Sequence, residues 1–285
     1  MKIAVTGATG FIGQYVRNAL AQTDHEVVLL VRDSSKVGER YKSEQLVEDD
    51  LSHDRTDWFE FLGKPEAVIH LAWGGLGNYL DTYHVDIEMP THLKFLKSLI
   101  NSGLKKLVVS GTCYEYGPSS GAVSESQTTN PNTPYGSAKD SLRKALFEIQ
   151  SEHDFDLTWV RIFYPYGDGQ SIDSLYSSIK KALYSKESNF VVRSGDSILD
   201  FISVSDVGQM LVWFTINTSF VGVVNLGSGN PTSVFDFVQG QATRHSWHFN
   251  IQSNPATARL YESKSFWANT DKLVKLLAAT NVVTD

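Results

Sequence analysis

Thr6-Gly7-Ala8-Thr9-Gly10-Phe11-Ile12-Gly13 is the stretch that decides the fold. It follows directly on the apolar run 3–5 and opens a segment, 11–21, whose apolar residues recur at helical spacing. Glycines at this place allow a tight turn out of a strand, close approach of the backbone to a phosphate, and close packing of helix on strand. The helix N-terminus adds amide donors and partial positive charge. Gly7, Thr9, Gly10, Phe11, Ile12 and Gly13 are therefore candidate residues for binding the pyrophosphate of a dinucleotide.

Outward from this loop, strand-like runs at 26–31, 67–71, 106–110 and 157–162 alternate with helical patterns at 82–101 and 135–152. The strands are rich in Val, Ile and Leu with little polar alternation, as expected for strands buried on both faces. Such alternation implies right-handed crossovers and one parallel sheet: an α/β, Rossmann-like doubly wound architecture. After Tyr164 the apolar runs shorten and turns multiply. The expected organisation is a dinucleotide-binding domain over 1–165 and a smaller mixed substrate-binding subdomain over 166–285, with the chain crossing back once. The stretch 117–132, rich in Ser, Thr, Asn and Pro, reads as a surface excursion, and Pro134 suits the first turn of the helix after it.

Composition narrows the function classes. With 285 residues, 41% hydrophobic, the chain is long enough for a full core. Lys and Arg number 25 against 32 Asp and Glu, giving a net charge of −7 with the signs mixed, which argues against nucleic acid as partner. The single cysteine, Cys113, forms no internal disulfide and leaves no Cys-based metal spacing; no metal is expected. No apolar run approaches the roughly 18 residues of a membrane span, and residues 1–6 do not build a signal peptide. A cytoplasmic protein without membrane contact is expected.

At the tip of the second strand, about 20 residues past the glycines, the adenine ribose is read. The run here is Val31-Arg32-Asp33-Ser34-Ser35-Lys36. Arg32 can pair with a 2′-phosphate and favours NADP(H), whereas Asp33 keeps NAD(H) open, because a carboxylate there accepts from the ribose hydroxyls. Farther along, Tyr135-Gly136-Ser137-Ala138-Lys139 sets a phenol and an ammonium on one face of a helix. The ammonium is expected to lower the Tyr135 pKa, so that the phenol can exchange a proton with a carbonyl or alcohol oxygen. Thr112, in Ser110-Gly111-Thr112-Cys113-Tyr114-Glu115-Tyr116-Gly117 at the carboxyl edge of the fifth strand, can hydrogen-bond the same oxygen.

Together these residues resemble the extended short-chain dehydrogenase/reductase family, and within it the nucleotide-sugar epimerases, dehydratases and reductases. The likeness also runs through Asp50-Leu51, His70-Leu71-Ala72, Arg161 to Gly167, Asp200 to Val207 and Asn225 to Gly229. It implies that Tyr135 is the acid/base, that Lys139 binds the nicotinamide ribose and tunes Tyr135, and that Thr112 orients the sugar oxygen. It further implies that Asp50 and Leu51 contact the adenine and that Leu71, Ala72 and Trp73 lie near the nicotinamide half. Cys113, Tyr114, Tyr164 and Arg193 are implied on the sugar side, with Arg193 facing the diphosphate. A homodimer through helices 82–101 and 135–152 is a further implication.

Departures from the family pattern choose among reactions. Dehydratases carry Asp-Glu directly after the threonine, since losing water takes an added acid and base; Cys113 and Tyr114 stand there instead. The family's Asn before its Val-Tyr-Gly is Tyr164, and the Asn expected ahead of the fifth strand is replaced, with Asp86 and Glu88 nearby. Arg32 argues against a tightly held, recycled NAD. The reading is an NADPH-dependent reductase acting at C4 of a nucleotide-linked 4-keto-6-deoxyhexose, such as a dTDP- or CDP-sugar, in deoxysugar and polysaccharide biosynthesis. The alternatives are an NAD-dependent nucleotide-sugar epimerase and a non-catalytic NADP-binding sensor.

Overall fold

The computed structural model describes residues 1–37, 46–185, 187–246, 250–254 and 261–281, and only the backbone of residues 193 and 281. In chain order the elements are β1 (Lys2–Thr6), α1 (Phe11–Leu20), β2 (Glu26–Val31), β3 (Leu46–Glu48), α2 (Trp58–Phe61), β4 (Ala67–His70), α3 (Met89–Asn101), β5 (Lys106–Thr112), β6 (Gly121–Val123), α4 (Pro134–Glu152) and β7 (Asp156–Ile162). They continue as β8 (Pro165–Tyr166), α5 (Leu175–Tyr184), β9 (Asn189–Arg193), β10 (Ile198–Leu199), β11 (Ile202–Ser203), α6 (Val204–Ile216), β12 (Gly222–Leu226), β13 (Thr232–Ser233), α7 (Val234–Arg244), β14 (Asn250–Asn254), β15 (Phe266–Ala268) and α8 (Asp271–Asn281).

Seven parallel strands form the central sheet in the order β3-β2-β1-β4-β5-β7-β12. The strand period of two sends alternate residues to opposite faces. Ile3 and Val5 join the core under α1 and α6 with Leu29, Ile69 and Val108, while Ala4 joins Val28, Val68, Leu107 and Trp159 under α3 and α4. The strand order reverses between β1 and β4, whose register pairs Thr6 with His70. Their carboxyl ends open the crevice in which such sheets bind ligands.

Past β7 the chain leaves the sheet and builds a separate apolar cluster from Ile179, Phe190, Val192, Leu199, Phe237 and Val238. It returns with α6 and with β12, which pairs with β7 at the sheet's edge. Within the expected excursion 117–132, β6 pairs in parallel with β15. The expected helix 82–101 is broken: His84–Glu88 is a π-helical turn leading into α3. Pro90, in the first turn of α3, has no N–H to give, which removes one bond of the regular ladder at this joint. β5 runs two residues past the expected 106–110, carrying Thr112 to the sheet's carboxyl edge.

α1 and α6 pack so closely that a Cβ on Gly208 would lie 2.7 Å from the backbone carbon of Tyr15. Helix propensity alone favours Gly208→Ala by about 1 kcal/mol. Overpacking against backbone costs about 1–3 kcal/mol. The substitution is therefore expected to destabilise the fold, read as a lower midpoint in urea.

Candidate active site

The glycine loop leaves β1 with Gly7 at φ +70°, and a Cβ there would stand 2.6 Å from the backbone nitrogen of Ala72. A Cβ on Gly13 would stand 2.2 Å from the Gly7 carbonyl oxygen, so α1 can begin this close to β1 only with glycine. Gly10 caps α1 without a side chain and is exposed, and no side chain caps the helix N-terminus. Thr9, Phe11 and Ile12 line the same turn, with Ile12 packed on the core. A narrow cradle, open to solvent at Gly10 and with no side chain on the α1 amides, fits a pyrophosphate.

Behind the cradle runs a buried polar chain. Thr6 Oγ1 accepts from the backbone N–H groups of Leu71 and Ala72, at 3.3 and 3.2 Å, and lies 2.9 Å from His70 Nδ1. His70 Nε2 lies 2.8 Å from His92 Nδ1, and His92 Nε2 lies 3.0 Å from Glu88 Oε2. One proton arrangement satisfies every link with neutral rings: Thr6 donates to His70, His70 to His92, and His92 to the Glu88 carboxylate. Burial lowers the pKa of both histidines, which keeps them neutral. Burial alone raises the Glu88 carboxyl, but hydrogen bonds from His92, the Gly74 N–H and the Tyr83 hydroxyl outweigh it and hold the group at about 2.

Thr112, Tyr135 and Lys139 converge. Thr133 caps α4, accepting from the Gly136 N–H at 3.1 Å, and the Tyr135 N–H donates to the Tyr79 carbonyl at 3.2 Å. The Thr112 side chain lies close enough to the Tyr135 phenol to pull its pKa down in part. The Lys139 ammonium is buried, donates to the Ser110 carbonyl at 3.0 Å and stands 3.9 Å from the centroid of the Trp73 ring. The expected lowering of the Tyr135 pKa is not what this arrangement gives: burial drives the phenol upward, the nearby Tyr79 adds to it, and Thr112 opposes only part. Burial takes Lys139 down to about 7, against the pull of Glu115 and Glu88. The phenol is thus held as a proton donor, and the lysine titrates near neutrality.

Beneath Thr112 lies Glu115, fully buried. Its Oε1 accepts from the Thr112 N–H and from Trp159 Nε1, each at 2.8 Å, and its Oε2 accepts from Arg161 Nε at 2.8 Å. On the side of the segments past β7, the rings of Tyr114 and Tyr135 lie 6.3 Å apart and those of Tyr114 and Tyr164 6.4 Å apart. The Tyr114 hydroxyl donates to Glu262 at 3.2 Å. Tyr79 stacks on Tyr135, with ring centroids 4.8 Å apart. Cys113 is buried, and burial pushes its thiol well above the ordinary range, so it offers neither acid nor base. The Arg193 backbone lies in β9, and its side chain is outside the described residues.

At the far end of the crevice Arg32 is 78% exposed and reaches within 4.0 Å of Asp50. Asp33 instead caps the turn Ser34–Lys36, accepting from the Ser35 N–H at 3.1 Å. Leu51 packs on the core beside Asp50. Tyr79, His84, His92, Glu115 and Glu262 join the site without having been singled out in the sequence. Thr112-x-x-Glu115 is a capping-box spacing and Glu88/His92 an i, i+4 pair, so these carried a signal. Tyr79 and Glu262 carried none, since loop and C-terminal residues reach the site only through tertiary packing.

Glu115→Gln would set an amide N–H against Arg161 and leave that buried charge unpaired, so a loss of about 3–5 kcal/mol is expected in denaturant titration. Glu88 acts on the pH dependence. Its carboxyl is lower folded than unfolded, so its stabilisation is whole above about 4.5 and fades as pH falls toward about 2. Glu88→Gln is expected to flatten the acid limb of stability against pH in that window.

Among the described residues no helix is long and apolar enough to cross a membrane, and no cluster of His, Cys, Asp or Glu could hold a metal ion. A model of the NAD dependent epimerase/dehydratase family matches residues 3–227. The dTDP-6-deoxy-L-talose 4-dehydrogenase (NAD(+)) of Aggregatibacter actinomycetemcomitans is 30% identical over 271 residues, 94% of this chain and 99% of that protein. The fold superposes on UDP-N-acetylglucosamine 4-epimerase from Methanobrevibacter ruminantium, in complex with UDP-N-acetylmuramic acid, with a TM-score of 0.85 at 22% identity, covering 96% of this chain and 91% of that one. It superposes on UDP-glucose 4-epimerase from Thermus thermophilus, in complex with NAD, with a TM-score of 0.77 at 19% identity, covering 98% and 93%. The doubly wound sheet, the glycine cradle at its switch point and the match across residues 3–227 make this chain a member of the NAD dependent epimerase/dehydratase family.

Proposed function

We propose that this protein is a reductase of a nucleotide-linked 4-keto-6-deoxyhexose, using NADPH to turn the C4 carbonyl into a hydroxyl. The observation that carries the reading is the Thr112, Tyr135 and Lys139 cluster, with a phenol kept protonated by burial beside a lysine that titrates near 7. A dinucleotide held in the glycine cradle would supply the hydride for the carbonyl carbon. Tyr135 gives its proton to the carbonyl oxygen, Thr112 orients that oxygen through its hydroxyl, and Lys139 stabilises the phenolate left behind. Gly7, Gly10, Gly13 and the α1 amides would hold the pyrophosphate of the dinucleotide, and Asp50, Leu51, Leu71, Ala72 and Trp73 would flank the cofactor's two ends.

Two observations support reduction. The positions after Thr112 hold a high-pKa thiol and a tyrosine turned to Glu262 in place of an acid and a base, which disfavours dehydration. The relative from A. actinomycetemcomitans is named for a redox step at C4 of a dTDP-linked 6-deoxyhexose, the same sugar class and carbon. Its name gives NAD(+). For this chain we favour NADPH, because Arg32 is largely exposed at the adenine ribose end while Asp33 is engaged by Ser35. Tyr114 and Tyr164 would pack against the sugar, and Arg193 would meet the diphosphate.

The test is to offer purified protein dTDP- and CDP-4-keto-6-deoxyhexoses with NADPH or NADH and follow cofactor absorbance. Oxidation of NADPH is expected, with a kcat/KM about tenfold above that with NADH, a preference that Arg32→Ala removes. Tyr135→Phe is expected to lower kcat by about 10²–10⁴-fold while cofactor Kd stays within about threefold. Tightly bound NAD recovered unchanged after sugar turnover would identify an epimerase instead. Cofactor binding without turnover of any sugar would identify a sensor.

A further inference from the structure

Trp73 touches both proposed proton-handling groups and is held from several sides. Its indole stacks on His92, with centroids 4.7 Å apart and planes within 13°. The Lys139 ammonium stands over the same indole at 3.9 Å, and the Tyr135 ring meets it edge-on at 6.3 Å. The indole N–H donates to His84 Nδ1 at 3.1 Å, and His84 Nε2 lies 3.1 Å from the Asn78 carbonyl, so His84 carries its proton on Nε2 and offers a lone pair to Trp73. The backbone is tied on both sides as well: the Ala72 N–H donates to Thr6, and the Gly74 N–H to Glu88. His92 is itself locked between His70 and Glu88.

Packing against a flat ligand would need only one free ring face and would tolerate a mobile side chain. This indole is instead pinned at its N–H, on its ring and through both flanking amides, and what it supports is a cation and a phenol. We propose that Trp73 is a positioning residue: it holds the Lys139 ammonium beside the Ser110 carbonyl and confines the Tyr135 ring to the orientation that meets Thr112. Tryptophan suits the task because its π face is the strongest side-chain partner for a cation. The Thr6, His70, His92 and Glu88 chain then acts as the frame that keeps the indole in place. The kinetic consequence rests on the reductase reading; the contact itself does not.

The test has two arms. In protein carrying lysine labelled with ¹³C at Cε, the ring current of Trp73 is expected to move one methylene signal, that of Lys139, well upfield. Trp73→Phe should keep part of that shift, and Trp73→Ala should abolish it. In turnover, Trp73→Ala is expected to lower kcat about tenfold or more, by a clearly larger factor than it raises cofactor Kd, and Trp73→Phe to fall between it and wild type. If Trp73→Ala does not fold, Trp73→Phe carries the same comparison, since it keeps a π face but loses the bond to His84. The proposal is overturned if no lysine signal in the wild type is shifted, if the variants keep kcat within about twofold, or if cofactor Kd rises as far as kcat falls, which marks simple cofactor packing. A shifted lysine signal in a wild type that reduces no sugar would sink the reductase reading and uphold the Trp73–Lys139 contact.

Discussion

The hydroxyl of Thr6 is the joint on which the site depends. It stands at the end of β1, accepts two backbone N–H groups from the end of β4 and bonds to His70. This draws the turn after β4 against Gly7, where only a residue without a Cβ can sit. The crevice at the strand-order reversal is thereby narrow and of set width. Beyond it the His70, His92 and Glu88 chain carries the same constraint to Gly74, so the segment bearing Ala72 and Trp73 is anchored at both ends. Each polar group in this chain is paired, which is what makes its burial tolerable.

A second buried anchor serves the other half of the crevice. Glu115 ties the N–H of Thr112 to Trp159 and Arg161 of β7, so the strand end that presents the threonine is braced against its neighbour. Facing anchors thus converge on Thr112, Tyr135, Lys139 and Trp73 from β4 and β5. Removal of water from the space between them explains why both ionisable groups are displaced toward their neutral forms, the phenol upward and the ammonium downward. A helical Tyr/Lys pair in water would show neither.

Much of the fold was legible because it follows from local pattern. Apolar runs without polar alternation read as doubly buried strands, and the parallel sheet has the strand order that such βαβ repetition implies. The break at His84–Glu88 and the pairing of β6 with β15 were not legible. The first follows from how Pro90 joins two segments of like periodicity, and the second unites short strands more than a hundred residues apart. Of the site, the glycine loop, Thr112, Tyr135, Lys139 and Arg32 stood out by residue type and spacing. The network beneath them did not, because a buried histidine or glutamate looks like a surface one until its partners are known.

By itself, the sequence determined the sheet, the glycine turn at its switch point and the candidates for proton transfer, since these depend on period, spacing and side-chain type. Tertiary structure alone decided the protonation of those residues and what holds them. The direction of the Tyr135 shift reversed the expectation drawn from its helical neighbour, because burial in the surrounding fold, with the electrostatic influence of Tyr79 added to it, acts across elements, whereas the Lys139 ammonium turns to Ser110 and Trp73. Charge and burial are sums over everything within a few ångströms in space, and no linear spacing contains them.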